Sequence, residues 1–494
     1  MTSDRIVRSI ENGKMSNKPS TRVAALSEAK TKTKTKTKAV DDAPRASTSA
    51  AAGGSALARL PPELWVHVLR QAFDVSESWA YDTSSRMRCM TAAWAQDETF
   101  LANDGQRGRE LWSWRLVSRA WNALLLPLLF DSFLVYGSAR DLERAVRALQ
   151  GCVGASETGR FVRYLTFRFD EPDEGAEGGW PVEDVASQIY QVIKLCPGIE
   201  EILWIAADDL PAVIIPALQA TSVRKLHLRD WRDNPPGEAL LDFAAAVPSL
   251  EVLGLVEACL DMDRAIYVQP RGGRSMPNLQ HIALRLANAN VPFIRALGSF
   301  DLPRLTSVVG DAYQSADIDA LQPLLQRHGK SLKKLVLLYP HAHKTYGLEL
   351  SLLALCPFLE EYITHLPLCR EQRALPSLPR LRRIGLFGFV PAAGSFSEPL
   401  TQTDRQAWWD EKQPCHKAFL TSLSRASLPA LSAITLFDLF PLEVQNWAEY
   451  VYGLVDAVAH GYVMQGITLE NADGQPVLAL LDACLSQSRR MAAA

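Results

Sequence analysis

The chain has 494 residues, 48% apolar and 22% charged, with a formal net charge of −3. That length allows two or three soluble globular domains, and so small a charge sets up no global field that would draw the chain to nucleic acid. No apolar run approaches the ~18 residues that a membrane span needs, and Met1-Thr2-Ser3-Asp4-Arg5 leads into no apolar secretory signal. The compartment expected from this is cytoplasm, nucleus or both. The eight cysteines, at 89, 152, 196, 259, 356, 369, 415 and 484, contain no CxxC and no zinc spacing, which points to buried reduced thiols.

Residues 1–56 are poor in large apolar side chains, and Lys30 to Lys38 alternates Lys with Thr. The 11 Lys/Arg and 5 Asp/Glu of this stretch make it +6 and leave −9 for the rest. Such a segment buries too little to offset its ordering entropy, so the expectation is a disordered basic tail. It reads first as a solvated charge run, with a nuclear-import or nucleic-acid patch as the other reading.

Residues 57–136 are expected to form a small helical module. Leu60-Pro61-Pro62-Glu63-Leu64 opens the first helix: Pro62 suits the first turn, Glu63 complements the positive helix end, and Leu64, Val68, Leu69 and Ala72 share a face. Trp114, Val117, Trp121, Leu124 and Leu125 repeat that spacing in a second helix, which Pro127 closes. Residues 74–109 form an insertion between the two, with Trp79, Tyr81, Trp94 and Phe100 expected to pack it down.

From residue 160 a pattern recurs: an apolar residue, two variable ones, an apolar one, one variable, and another apolar one. It runs Val162/Leu165/Phe167, Ile199/Ile202/Trp204, Val223/Leu226/Leu228, Leu250/Leu253/Leu255 and Leu279/Ile282/Leu284. It continues as Leu305/Val308/Gly310, Leu332/Leu335/Leu337, Leu359/Tyr362/Thr364, Leu381/Ile384/Leu386, Leu431/Ile434/Leu436 and Met464/Ile467/Leu469. Seven of the ten steps are 22 to 29 residues. Proline stands two places before the first apolar residue at 197, 248, 277, 303, 357, 379 and 429, where it ends the preceding helix and sets an extended entry. Helices are expected at Val185–Leu195, Glu238–Ala246, Ala316–Arg327 and Leu348–Leu355. The stretch 387–430 reads as a long loop with a short helix. The array is assigned to 137–480, with 481–494 as a C-terminal tail.

Little in the chain has the makings of an active site. Arg327-His328-Gly329-Lys330-Ser331 ends like a phosphate loop, but Leu324 stands where its first Gly belongs. His341 and His343 lack a third ligand. Cys415 and His416 are adjacent, a poor geometry for a thiolate–imidazole pair. No catalytic residue, metal or cofactor is therefore expected. Residues alternating with the buried ones would face the open side of the strands, and there the register puts Arg168, Arg229, Arg285, Asp311, His365, Phe387 and Phe437. That mixture of Arg and aromatics suits a protein surface and lacks the basic stripe of a phosphate-backbone binder.

Two resemblances sharpen this. Leu60-Pro61-Pro62-Glu63-Leu64, with Leu116-Val117-Ser118-Arg119-Ala120-Trp121 and Pro127-Leu128-Leu129-Phe130, resembles the F-box, a helical module that docks onto the Skp-type adaptor of a cullin–RING ubiquitin ligase. The repeat resembles the leucine-rich repeat family and has a period within its range, although the Asn or Cys expected after the strand is mostly missing (Trp231, Tyr313 and Pro340 stand there). Together they imply an α/β chain: an F-box-like module followed by an irregular leucine-rich-repeat solenoid, strands on the concave side and helices on the convex side. They also imply a substrate-recognition subunit that contributes no catalysis. Leu60, Pro61, Leu64, Val68, Leu116, Val117 and Trp121 would hold the adaptor, and the array would hold a target protein. The alternative is a repeat scaffold with no ubiquitin role.

Overall fold

A computed structural model describes residues 125–136, 139–150, 158–168, 182–205, 215–229, 241, 244–256, 274–286, 291–312, 319–338, 346–366, 375–388, 401–437, 441–471 and 474–493. The basic tail, the insertion 74–109, His341, His343 and the adaptor candidates Leu60, Pro61, Leu64, Val68, Leu116, Val117 and Trp121 lie outside them. In the described part twelve strands form one sheet in strict chain order, and every pair is parallel. They are β1 (Ser132–Tyr136), β2 (Tyr164–Arg168), β3 (Glu201–Ile205), β4 (Lys225–Arg229), β5 (Val252–Val256) and β6 (His281–Leu286). The others are β7 (Ser307–Ala312), β8 (Lys334–Leu338), β9 (Glu361–His365), β10 (Arg383–Phe387), β11 (Ala433–Leu436) and β12 (Thr468–Asn471). Helices α1 (Ala139–Gln150), α2 (Val182–Leu195), α3 (Ile215–Gln219), α4 (Val291–Leu297), α5 (Gln322–His328), α6 (Tyr346–Leu353), α7 (Gln402–Ser422), α8 (Pro441–Met464) and α9 (Val477–Ala493) fall between or after the strands.

Parallel neighbours need a crossover that returns the chain to the same end, and sequential order makes each rung contact only the next. The second and third residues of the repeated pattern point toward the helices. Leu165, Phe167, Ile202, Leu226, Leu253, Ile282, Leu335 and Ile384 join Leu142, Ile189, Val192, Leu297, Leu324 and Leu352 in one continuous core, all at 2% exposure or less. Each large aliphatic side chain removed from water there stabilises the fold by roughly 1.5–3 kcal/mol.

The prolines have a more specific task than ending a helix. At each of the seven positions Pro is the second residue of a tight turn. The first apolar residue of the rung donates its N–H to the carbonyl three residues back, as in Ile199 to Cys196, Leu305 to Leu302 and Leu359 to Cys356, at 3.0–3.2 Å throughout. Pro at that place pre-sets the φ the turn requires. The next two N–H groups then reach a single carbonyl of the preceding rung, as Glu200 and Glu201 do to Arg163 at 2.9 and 3.1 Å. Pro303→Ala and Pro357→Ala should each lower the stability seen in denaturant unfolding by ~0.4–1 kcal/mol, through the freedom returned to the unfolded chain. Pro414 lies inside α7, so Pro414→Ala should act in the opposite sense and raise stability by ~1–3 kcal/mol.

Four details differ from the sequence reading. The sheet begins at β1, inside the span 57–136 read as the helical module. Its rung is Phe130/Phe133/Val135, with Phe133 opposite Leu165 and Val135 opposite Phe167. At the other end Ile434 pairs with Leu469 and Leu436 with Asn471, so the last rung is Gly466/Leu469/Asn471 rather than Met464/Ile467/Leu469. A slip of two residues keeps the same side chains on the same face, which is why the pattern hid it; Met464 is 75% exposed. The stretch read as a loop holds the 21-residue α7, whose Thr401 accepts from Asp404 N–H at 3.2 Å while Asp404 accepts from Thr401 N–H at 3.1 Å. That reciprocal cap was legible as Thr-x-x-Asp. Finally, α9 runs through most of the stretch read as the C-terminal tail.

Candidate interaction face

On the side of the sheet away from the helices, alternate residues fall into three rows across the strands. The strand-entry row carries Glu201, Lys225, Val252, His281, Ser307, Lys334, Glu361 and Arg383, matched one to the next by the register. Its charges pair across rungs: Lys225 Nζ lies 3.4 Å from Glu201 and Lys334 Nζ lies 2.7 Å from Glu361. Just upstream, Arg163 binds Glu200 through two hydrogen bonds of 2.9 and 2.8 Å, and Arg224 meets Glu251 at 2.6 Å. The bond from Arg163 holds the Glu200 carboxyl below its ordinary pKa. With opposite charges directly across a rung, the register itself is favoured.

The middle row is apolar from β6 to β9. Ala283, Val309, Val336 and Ile363, together with Leu338, Phe387 and Phe437, make a second cluster separate from the main core. Space there is rationed by two glycines. A Cβ on Gly254 would stand 2.4 Å from His227 Nδ1, and one on Gly385 would stand 2.3 Å from the Phe437 ring. His227 thus lies over β5 and Phe437 over β10. Burial drives the pKa of His227 down to about 3, so its imidazole is neutral.

Of the seven target-face residues read from the sequence, Arg168, His365, Phe387 and Phe437 sit on this side. The register places Arg285 beside Asp311, and only the backbones of Arg229, Arg285 and Asp311 are described. Arg168 is partly exposed. His365, Phe387 and Phe437 come together, with ring centroids 5.6 Å apart for the first pair and 5.0 Å, stacked nearly parallel, for the second. The two phenylalanines are not available as contacts, however: they are 2% and 4% exposed. Alternation along a strand determines the face of a side chain, and neighbouring rungs determine its exposure. The sequence reading passed over Glu201, His227, Ser307 and Lys334, polar side chains buried on the same face. Their signal was a charged or polar residue immediately before the second apolar position of the repeat (Glu201, Ser307, Lys334) or between the second and the third (His227).

The remaining chemical candidates resolve into packing. His328 ends α5 with its Nε2 3.0 Å from the Phe300 carbonyl, and burial lowers its pKa. Gly329 is pressed against the next rung. Cys415 and His416 are both buried in α7, and the His416 ring meets the Trp408 and Trp409 rings edge-on at 6.3 and 6.1 Å. Burial and the Lys412 ammonium push its pKa to about 3. Burial also lifts the Cys196 and Cys356 thiols to about 12, well away from the thiolate form that reacts. Among the described residues no group of three His, Cys, Asp or Glu could hold a metal, and no described helix is long and apolar enough to cross a membrane. No protein-family model matches the chain, and no curated protein is significantly similar to it in sequence.

Proposed function

We propose that this chain is a substrate-recognition subunit of a cullin–RING ubiquitin ligase. The F-box-like residues Leu60, Pro61, Leu64, Val68, Leu116, Val117 and Trp121 dock the Skp-type adaptor, and the array holds a target protein. The observation that carries the reading is an order along the chain: the F-box-like words end at Phe130, and that same residue opens the first rung of a twelve-strand parallel array. A module too small to bury its own apolar faces is thereby joined directly to a long surface. The chain works by proximity, since holding a target beside a charged transfer enzyme raises the effective concentration of the reacting groups. No residue of this chain takes part in the chemistry, and the site of action is cytoplasm or nucleus.

Co-purification of the full chain with the adaptor tests this. Leu60→Ala combined with Pro61→Ala should reduce recovery of the adaptor at least about tenfold, because truncating apolar anchors at an interface core costs more than 1 kcal/mol each. The melting of the array should not change. Adaptor recovery that is absent for the wild type, or equal for wild type and variant, would leave a repeat scaffold without a ubiquitin role.

A further inference from the structure

Along the edge of the sheet where the strands begin, the rungs of β7 to β10 carry the exposed cations Arg304, Lys330, Lys333, Arg380 and Arg382. Backbone bonds fix their order. Lys333 N–H reaches the Thr306 carbonyl at 2.9 Å, Glu360 N–H that of Lys333 at 2.7 Å and Arg382 N–H that of Glu360 at 2.8 Å. Each rung therefore follows the last by one strand spacing of about 4.8 Å. Little of the charge is used internally. Lys330 and Arg382 make no ion pair among the described residues. Lys333 lies 4.0 Å from Glu360 with both side chains exposed, a spacing that contributes little. Arg304 gives one N–H to Asn278 Oδ1 at 3.0 Å. Set against Asp301 and Glu360 on the same edge, the five cations leave a surplus of three positive charges.

Amid them stands Phe358, 43% exposed. It is the third residue of its tight turn, a place held by Gly, Ser, Asn, Arg or Ala in the other six turns of this kind. The Arg380 guanidinium lies 4.6 Å from its ring centroid, which packs the ring against the turn of the next rung. A lone exposed aromatic needs no explanation; one set inside a run of unused cations makes a mixed surface with its own chemistry.

That chemistry selects a partner. A nucleic-acid binder commonly engages roughly 6–10 phosphates and stacks bases on a series of aromatic rings, and this edge has fewer cations and one ring. Residues 57–494 also carry −9 in sum, which disfavours a long polyanion. A short acidic peptide with an apolar side chain among its carboxylates fits the charge, the ring and the length: the three rung steps from Arg304 to Arg382 span about 14 Å, the reach of four or five extended residues.

We propose that the strand-entry edge of β7 to β10 binds an acidic peptide segment of a partner protein. Its carboxylates lie on Arg304, Lys330, Lys333 and Arg382, and its apolar side chain lies on Phe358. This surface is separate from the open face of the sheet, and it does not depend on docking of the adaptor.

Photo-crosslinking to the full chain tests it. The probe is a capped peptide of eight glutamates around a central diazirine analogue of leucine, and mass spectrometry locates the crosslink. The crosslink should fall on the tryptic fragment that contains Phe358. Its yield should drop about fivefold in Phe358→Ala, the loss of an aromatic anchor, and at least about tenfold in Lys330→Glu combined with Arg382→Glu, where like charges then face each other. Thermal melting checks that the variants are folded, as substitutions at exposed positions should leave them. Unlabelled peptide should compete; its glutamine analogue should not, and an oligothymidylate of equal charge should compete less well. Crosslinks confined to residues 1–56, no crosslink at all, a yield unchanged in the folded variants, or stronger competition by the oligothymidylate overturns the site. The adaptor takes no part in this measurement, so failure here and failure of the ligase reading are separate results.

Discussion

Gly159→Val and Gly329→Val should each destabilise the array by ~3 kcal/mol or more, at the upper end of overpacking effects, whereas Lys330→Ala one residue away should stay within ~0.5 kcal/mol. The two glycines hold equivalent places, three residues before the first apolar residue of their rungs. A Cβ on Gly159 would lie 2.1 Å from the Leu195 carbonyl oxygen and 3.4 Å from Cys196 Sγ. On Gly329 it would lie 2.4 Å from the Leu355 carbonyl and 3.2 Å from Cys356 Sγ. The obstacle in both cases is backbone at the end of the next helix, which cannot swing aside as a side chain can. The rungs must separate, and the strand hydrogen bonds on either side separate with them. Chemical denaturation reads the effect as a lowered midpoint. A small change at both glycines would mean that the rungs slide freely, contrary to the close packing drawn here.

Between pH 6.5 and 7.5 the wild-type chain should lose stability relative to Glu349→Gln at up to about 1.4 kcal/mol per pH unit, the contribution of one carboxyl. Glu349 on α6 is 1% exposed and accepts a hydrogen bond of 2.9 Å from Thr364 Oγ1 on β9. Burial raises its pKa from 4.5 to about 8. The folded state therefore holds the proton more tightly than the unfolded state does, so raising the pH between those two values favours unfolding. His227 and His416 act in the opposite direction, because their folded pKa values, about 3, lie below the ordinary 6.5. With His281 and His328, whose pKa values burial also lowers, they make stability rise with pH through about 6.5, an effect that fades over the next pH unit; both proteins share it, so the difference between their curves isolates Glu349. Glutamine keeps an acceptor for Thr364 and cannot ionise. Thermal melts of both proteins across that window measure the difference, and parallel curves would show that Glu349 is not the group responsible.

Particular residues mark how far the sequence could be read. Ten of the eleven rungs proposed from the leucine pattern fall in the register observed, because two buried positions and a proline at fixed offset leave one pairing that keeps the apolar side chains together. The first rung was missed since Phe130, Phe133 and Val135 sit where the chain also reads as the tail of a helical module. The last was misplaced by two residues because Gly466 takes the turn position that leucine holds elsewhere. At 466 the φ is +66°, a region that glycine enters without strain.

The candidate face divides in the same way. Period-two alternation is a local property, so the identity of residues opposite the helices was available from the chain alone: Arg168, His365, Phe387 and Phe437 lie there. What each can touch depends on the strand beside it, brought from some 22 to 50 residues away in sequence. Phe437 lies over Gly385, Phe387 stacks on Phe437, and His227 lies over Gly254, so three rings that local pattern would expose are buried. Glu201 is buried beside Lys225 and His227, which arrive from the next rung and lie 3.4 and 3.6 Å from its carboxylate. The linear chain by itself determined the repeat, its turns and the side of each residue, since these follow from backbone geometry and nearest neighbours. Exposure, ionisation and charge pairing were decided only by the tertiary structure, because they are properties of atoms that contact across rungs.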